Sequence, residues 1–156
     1  MLLTLRRSVA LSVLALVLTC PLARSVELNP AAVTFKLPDQ IEWKTPPGEP
    51  AAAEIAVLAG QPSNPGLYVI MVKWLAGNHF SHPHFHPYDR FITVLKGTWW
   101  VGTGTKFDTN ATVAMPAGTF VTHYGEQVHF DGAKDEDAVL LIVGEGPATA
   151  TPAEVK

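Results

Sequence analysis

From Glu54 onward, short apolar runs alternate with clusters of turn-forming residues. The runs are Ile55 to Leu58, Leu67 to Trp74, Phe91 to Leu95, Trp99 to Val101, Thr112 to Met115, Phe120 to His123, Val128 to Phe130 and Val139 to Val143. Between them lie Pro62-Ser-Asn-Pro65-Gly66, Ala76-Gly77-Asn78, Lys96-Gly97, Gly102-Thr-Gly104, Pro116-Ala-Gly118 and Asp131-Gly132, all with the chemistry of tight turns. Short β-rich runs at this spacing predict a sandwich or barrel over residues 51–156, closed by a short C-terminal tail. After residue 25 no helix-period pattern extends beyond two turns. Residues 26–50, rich in proline and small side chains, are expected to form an extended N-terminal arm with short patches at Val33 to Leu37 and Ile41 to Lys44. Such an arm can lie across its own barrel or a neighbouring subunit, so a homodimer is one possible assembly.

Composition supports the β reading. Apolar residues make up 47% of the 156 and charged residues 16%, which excludes disorder by composition, and 12 glycines with 13 prolines interrupt the chain too often for long helices. The first 25 residues stand apart. Arg6 and Arg7 precede an apolar run from Val9 to Leu18, and Ala23-Arg24-Ser25 has the small-residue spacing of a cleavage site, so residues 1–25 are expected to be a cleavable secretory signal. The run is about half the length of a membrane-spanning helix, so no stable anchor is expected after cleavage. Thr19 before Cys20 is larger than the residue a lipoprotein site prefers. Cleavage removes three arginines and no acid, taking the net charge from −3 to −6. An acidic protein without a basic cluster is not expected to bind nucleic acid or an anionic membrane. Cys20, the only cysteine, leaves with the signal, so no disulfide supports the fold in a secreted or periplasmic setting.

Several local features have ordinary readings. Gly102-Thr103-Gly104 is expected to be a hairpin turn rather than a phosphate loop, because no helix start follows it. Asp135-Glu136-Asp137 is expected to be a solvated turn. Asn110-Ala-Thr112 fits a glycosylation acceptor. Trp99 and Trp100 are neighbours in a strand and must face opposite sides, the outward one covering an interface or the arm.

The chemistry concentrates in histidine. Six occur, at 79, 82, 84, 86, 123 and 129, four of them within eight residues. In a strand, His82, His84 and His86 would project from one face, and two imidazoles so placed can share a metal that a third from another strand completes. Pro83 and Pro87 remove backbone donors, which suits a sheet edge or barrel mouth. His79 reads as a solvated loop residue and His82 as a rim group. His123, on the strand before His129, could line the pocket or take the ligand role from His129.

Gly77, His84-Phe-His86, position 90 and Gly97 resemble the first cupin motif, G-x(5,6)-H-x-H-x(3,4)-E-x(6)-G, with only the glutamate missing. Tyr124-Gly125-Glu126-Gln127-Val128-His129 is loosely similar to the second, P-x-G-x-x-H, without its proline and glycine. An alternative register from Pro116-Ala117-Gly118 puts Val121 at the histidine position. The resemblance spans roughly Gly66 to Gly146. It implies an all-β, double-sheet jelly-roll barrel in which His84, His86 and His129 hold one divalent transition metal: iron, zinc, manganese, nickel or copper. Arg90 stands at the glutamate position and cannot bind a cation, so it must point away, pair with Asp89, or meet an anion beside the metal. Asp89 remains an alternative fourth ligand, and His82 and His123 remain alternative metal or pocket residues.

Three neutral imidazoles leave the ion its full +2 charge, which favours a small anionic or enolisable ligand. Among cupins this resembles dioxygenases that cleave β-diketones or oxidise thiols, with Arg90 or Tyr88 orienting the substrate. The alternative is a non-catalytic metal-binding or small-ligand sensor module in the periplasm, similar to the cupin domains of zinc-binding anti-sigma factors but without their additional helical domain. A purely structural barrel would have little use for so many histidines. Material recovered from outside the cytoplasm is expected to begin near Val26. Intact-mass measurement checks this, and a terminus at Met1 would contradict it.

Overall fold

The computed structural model describes residues 27–46 and 52–155, and the signal expected over residues 1–25 lies outside them. The chain divides into two compact units at Phe35/Lys36. In the first, Asn29 organises a turn. Its carbonyl accepts the N–H groups of Ala32 and Val33, and its Oδ1 accepts that of Ala31, all at 3.0 Å.

The described part of the second unit contains one three-residue 3₁₀ turn, Pro38–Gln40, and eleven strands: β1 (Ala53–Ala59), β2 (Gly66–Trp74), β3 (His79–Phe80), β4 (His84–Phe85), β5 (Arg90–Lys96), β6 (Thr98–Thr103), β7 (Val113–Pro116), β8 (Phe120–His123), β9 (His129–Ala133), β10 (Ala138–Gly146) and β11 (Thr151–Pro152). They form two antiparallel sheets, one in the order β1-β2-β10-β5-β8 and the other β11-β4-β9-β6-β7, with β3 also paired to β9. This agrees with the sandwich or barrel expected from the strand spacing and with the double-sheet jelly roll that the resemblance implies. Lys44, in the arm segment, exchanges both backbone bonds with Ile55, so this part of the arm extends the first sheet beside β1.

Period-two alternation explains the core. Tyr68, Ile70 and Val72 on β2, Ile92 and Val94 on β5, and Leu140 and Ile142 on β10 pack with Trp99 and Val101 of β6 and Ala133 of β9. The opposite phase of the first sheet leaves Leu67, Phe91, Leu95 and Phe120 exposed, with the Phe91 and Phe120 rings stacked at 6.4 Å. Trp99 is fully buried, and Trp100 lies on the other face under the Lys134 ammonium, 3.7 Å from its ring centre. Among the described residues, a cation over the indole face shields the outward tryptophan.

Three local expectations are corrected. Gly102 is not in a turn but inside β6, where an added Cβ would lie 2.2 Å from the Phe130 ring. Asp131-Gly132 is likewise not a turn but the middle of β9. His79 is not a solvated loop residue: it is half-buried in β3, its Nδ1 3.3 Å from the Leu75 carbonyl oxygen. Gly132 permits β3 to cross closely over β9, since a Cβ there would come within 2.0 Å of the His79 carbonyl oxygen. Both atoms belong to paired backbones, so little relaxation is open to them. Gly132→Ala is therefore expected to cost about 1–3 kcal/mol of stability, measured by urea denaturation. An unchanged midpoint would show that β3 parts from β9 freely.

Candidate metal centre

A single backbone pairing begins the site. His84 of β4 lies directly opposite His129 of β9, and neighbouring residues on an antiparallel pair carry their side chains on the same face. His86 follows two residues after His84 and returns to that face, so three imidazoles converge. The Nε2 atoms of His84 and His86 are 3.2 Å apart, and one ring nitrogen from each of His84, His86 and His129 falls within 4.8 Å of the others.

Hydrogen bonding fixes which nitrogen converges. Nδ1 of His84 lies 2.8 Å from the His82 carbonyl oxygen, Nδ1 of His86 2.9 Å from that of Thr149, and Nδ1 of His129 3.0 Å from that of Gln127. A carbonyl only accepts, so each Nδ1 must be the N–H donor and each Nε2 carries a lone pair directed inward. Lone pairs crowded together repel unless a cation lies between them. The Nε2 of His129 is also buried without a hydrogen-bond partner, so a divalent transition metal fits this donor set. His84, His86 and His129 are the residues that would hold it.

Burial lowers the proton affinity of His86 and of His129. The His86 pKa is lowered to about 3 by burial first, then by the neighbouring Arg90 and His84, with the bond to Thr149 opposing. Burial also lowers the pKa of His129, with Asp131 opposing. His123 faces His129 at 3.8 Å between ring centres and packs on Trp99 at 5.2 Å. Both its ring nitrogens are buried and unpartnered, and burial followed by His129 lowers its pKa to about 3. His123 lies beside the three converging rings but is not one of them.

The remaining residues singled out in the sequence separate. Arg90 turns inward and Nη1 donates to Nε2 of His86. It does not pair with Asp89, whose Oδ1 accepts the Gly125 N–H at 2.7 Å in an exposed turn, away from the imidazoles. Tyr88 is 46% exposed and borders a shallow surface cleft with Leu67 and Phe91, so the pocket role considered for it is not supported. His82 does not share the face of His84 and His86, because regular strand begins only at His84. Its ring stacks on Phe107 at 4.6 Å and its Nδ1 meets Glu154 Oε2 at 2.8 Å, which leaves it at the border of the cavity.

Sequence reading missed Asp131. It is buried, accepts from Trp99 Nε1 at 2.9 Å and from Ser81 Oγ at 3.0 Å, and returns to the Ser81 hydroxyl through its own N–H at 3.0 Å. Burial opposes its ionisation, yet His123, His129, His84 and Arg90 together hold its carboxyl below the ordinary range. The available signal was the two-residue step from His129. Tyr68 was also missed. Its hydroxyl pKa is raised by burial against the opposing charge of Arg90.

Beside the imidazoles lies a cavity of about 580 Å3, within the range of small-molecule sites; His84 and His86 line it, whereas His129 and His123 are not among its lining residues. Ile70, Val72, Trp74, Leu140 and Ile142 form apolar walls, while His84, His86, Arg90 and Asp131 supply the polar part.

No protein-family model and no curated protein matches the chain in sequence. Solved structures do match it in fold. KdgF from Halomonas sp. is 19% identical with a TM-score of 0.56, over 72% of this chain and 94% of that one. The polyketide cyclase RemF from Streptomyces resistomycificus is 14% identical with a TM-score of 0.65, over 80% and 87%. Rru_A2000 from Rhodospirillum rubrum, a cupin-2 domain, is 18% identical with a TM-score of 0.58, over 80% of each chain. Two antiparallel sheets in this strand order, with likeness to these structures over 72–80% of the chain, show that the chain has the cupin fold.

Proposed function

We propose that the protein binds one divalent transition metal through His84, His86 and His129 and acts there on a small anionic or enolisable substrate. The observation that carries this reading is the set of three Nδ1–H bonds to main-chain carbonyls, which aims three Nε2 lone pairs at one point. Such an ion would supply Lewis acidity, with open positions for a chelating substrate. Around it the chain contributes fixed groups. Arg90 presents a permanent positive charge to an anionic headgroup. Asp131, tied to Trp99 and Ser81, balances part of the charge, and the apolar walls exclude water and hold the body of the substrate. His123 packs on His129 and does not line the cavity.

The finer proposal is oxygenase-type chemistry, because a three-histidine site leaves room for both substrate and oxygen. The polyketide cyclase RemF carries different chemistry on a similar fold, so oxygen consumption on presentation of β-diketones and thiols is the discriminating measurement. A metal-binding module without turnover is the second reading. The contact of Arg90 with His86 occupies the nitrogen a metal would need in either reading, so turnover itself is what separates the two. We further propose that the protein works outside the cytoplasm, on the strength of the signal-like residues 1–25.

One equivalent of metal is expected per chain by elemental analysis. His84→Ala, His86→Ala and His129→Ala should each lose most of it, while His79→Ala should retain it because His79 is bonded in β3. Equal content in all four would contradict the ligand assignment.

The lowered pKa values also predict a pH dependence of stability. His86 and His123 have folded-state values of about 3 against 6.5 ordinarily, so below pH 6.5 the unfolded chain takes up protons that the folded chain does not. Their contribution is complete above about pH 6.5 and falls steadily as the pH drops toward 3. Metal-free protein should therefore lose thermal stability between pH 7 and 4.5, and His123→Phe should flatten that slope. A pH-independent Tm in this window would contradict the burial argument.

A further inference from the structure

Arg90 links the metal site to the kind of ligand the cavity takes. Its Nη1 donates to the His86 Nε2, the same lone pair that a metal would require, so arginine and metal compete for one atom. Its Nε is buried without a partner, and none of the ion pairs among the described residues includes it. The nearby carboxylate, Asp131, already accepts from Trp99 and Ser81. Once displaced from His86, the guanidinium therefore requires an anion from outside the chain. The walls beside it are Ile70, Val72, Trp74, Leu140 and Ile142, apolar and extending through a cavity of about 580 Å3.

We propose that the cavity takes an organic anion with an apolar body, a monocarboxylate or enolate, whose headgroup draws Arg90 away from His86. The same event frees the third metal position. Metal and anion then bind with positive coupling, each raising the affinity of the other by the same factor. This rests on the three-histidine reading and adds to it the substrate class and the residue that ties the two ligands together. A free carboxylate and an enolate share the headgroup chemistry, and the length of the apolar body is what the cavity selects. Each methylene buried against these walls corresponds to about a fourfold gain in affinity.

The test is titration of Zn2+ into the full chain in competition with a chromophoric chelator, alone and with acetate or hexanoate, in the wild type, Arg90→Met and Arg90→Gln. In the wild type, hexanoate should tighten Zn2+ binding by about 5- to 150-fold, and acetate by much less. Both variants should bind Zn2+ more tightly than the wild type without any anion, and the hexanoate effect should shrink in both. The glutamine variant guards against collapse of the cavity around methionine. Whatever coupling survives in the variants reports direct contact between anion and metal, so the difference from the wild type isolates the arginine. Equal Zn2+ affinity and equal hexanoate response in all three proteins would overturn the role of Arg90 while leaving the three-histidine site standing. Equal responses to acetate and hexanoate would overturn the apolar-bodied ligand. Wild-type protein that takes no Zn2+ under any of these conditions would overturn the metal site itself, and the coupling with it.

Discussion

The site depends on one backbone register, the pairing of His84 with His129. Side chains in a strand alternate with a period of two, so a slip of one residue between β4 and β9 would send one imidazole to the opposite face. The surroundings hold that register. The Glu126 N–H bonds the His86 carbonyl at 2.7 Å and the Ala153 N–H bonds the Pro83 carbonyl at 2.8 Å, so β4 is tied by its ends where the sheet offers little ladder. Gly132, farther along β9, lets β3 cross and close the same edge.

Charge in the barrel interior is arranged around neutral rings. Burial lowers the proton affinity of His86, His123 and His129, and the Arg90 guanidinium and the Asp131 carboxylate are the charged groups beside them that line the cavity. Trp99 joins the two functions of the barrel. Its indole fills the centre of the core while its N–H fixes Asp131. Packing and electrostatics therefore share a residue, and loss of Trp99 would leave a buried carboxylate short of a donor.

The strand framework was legible because short apolar runs separated by turn residues have few other solutions, and the histidine cluster was legible because His84 and His86 sit two apart. What escaped has physical reasons. Residues 91 to 95 of β5 are apolar or β-branched in both phases, so nothing in them announced that Arg90 shares the inward phase of Ile92 and Val94 while Phe91 and Leu95 face out. Asp131-Gly132 carries turn chemistry, yet the glycine serves a close backbone crossing and the aspartate an indole. The lone strand step after Pro87 could not be phased from sequence, and Tyr88 and Asp89 were weighed as site residues for that reason. The extent of the site's charge pairing was legible only in part, since it depends on Ser81 and Asp131, fifty residues apart.

The three imidazoles are oriented by carbonyl oxygens of His82, Gln127 and Thr149 rather than by carboxylate side chains. Any amino acid at those three positions presents the same oxygen, provided the backbone keeps its path. The groups that orient the ligands are thus written in chain geometry and not in residue identity. Positions 127 and 149 can accordingly drift, or be varied by an engineer to reshape the approach to the cavity, while the aim of the ligand nitrogens stays as it is.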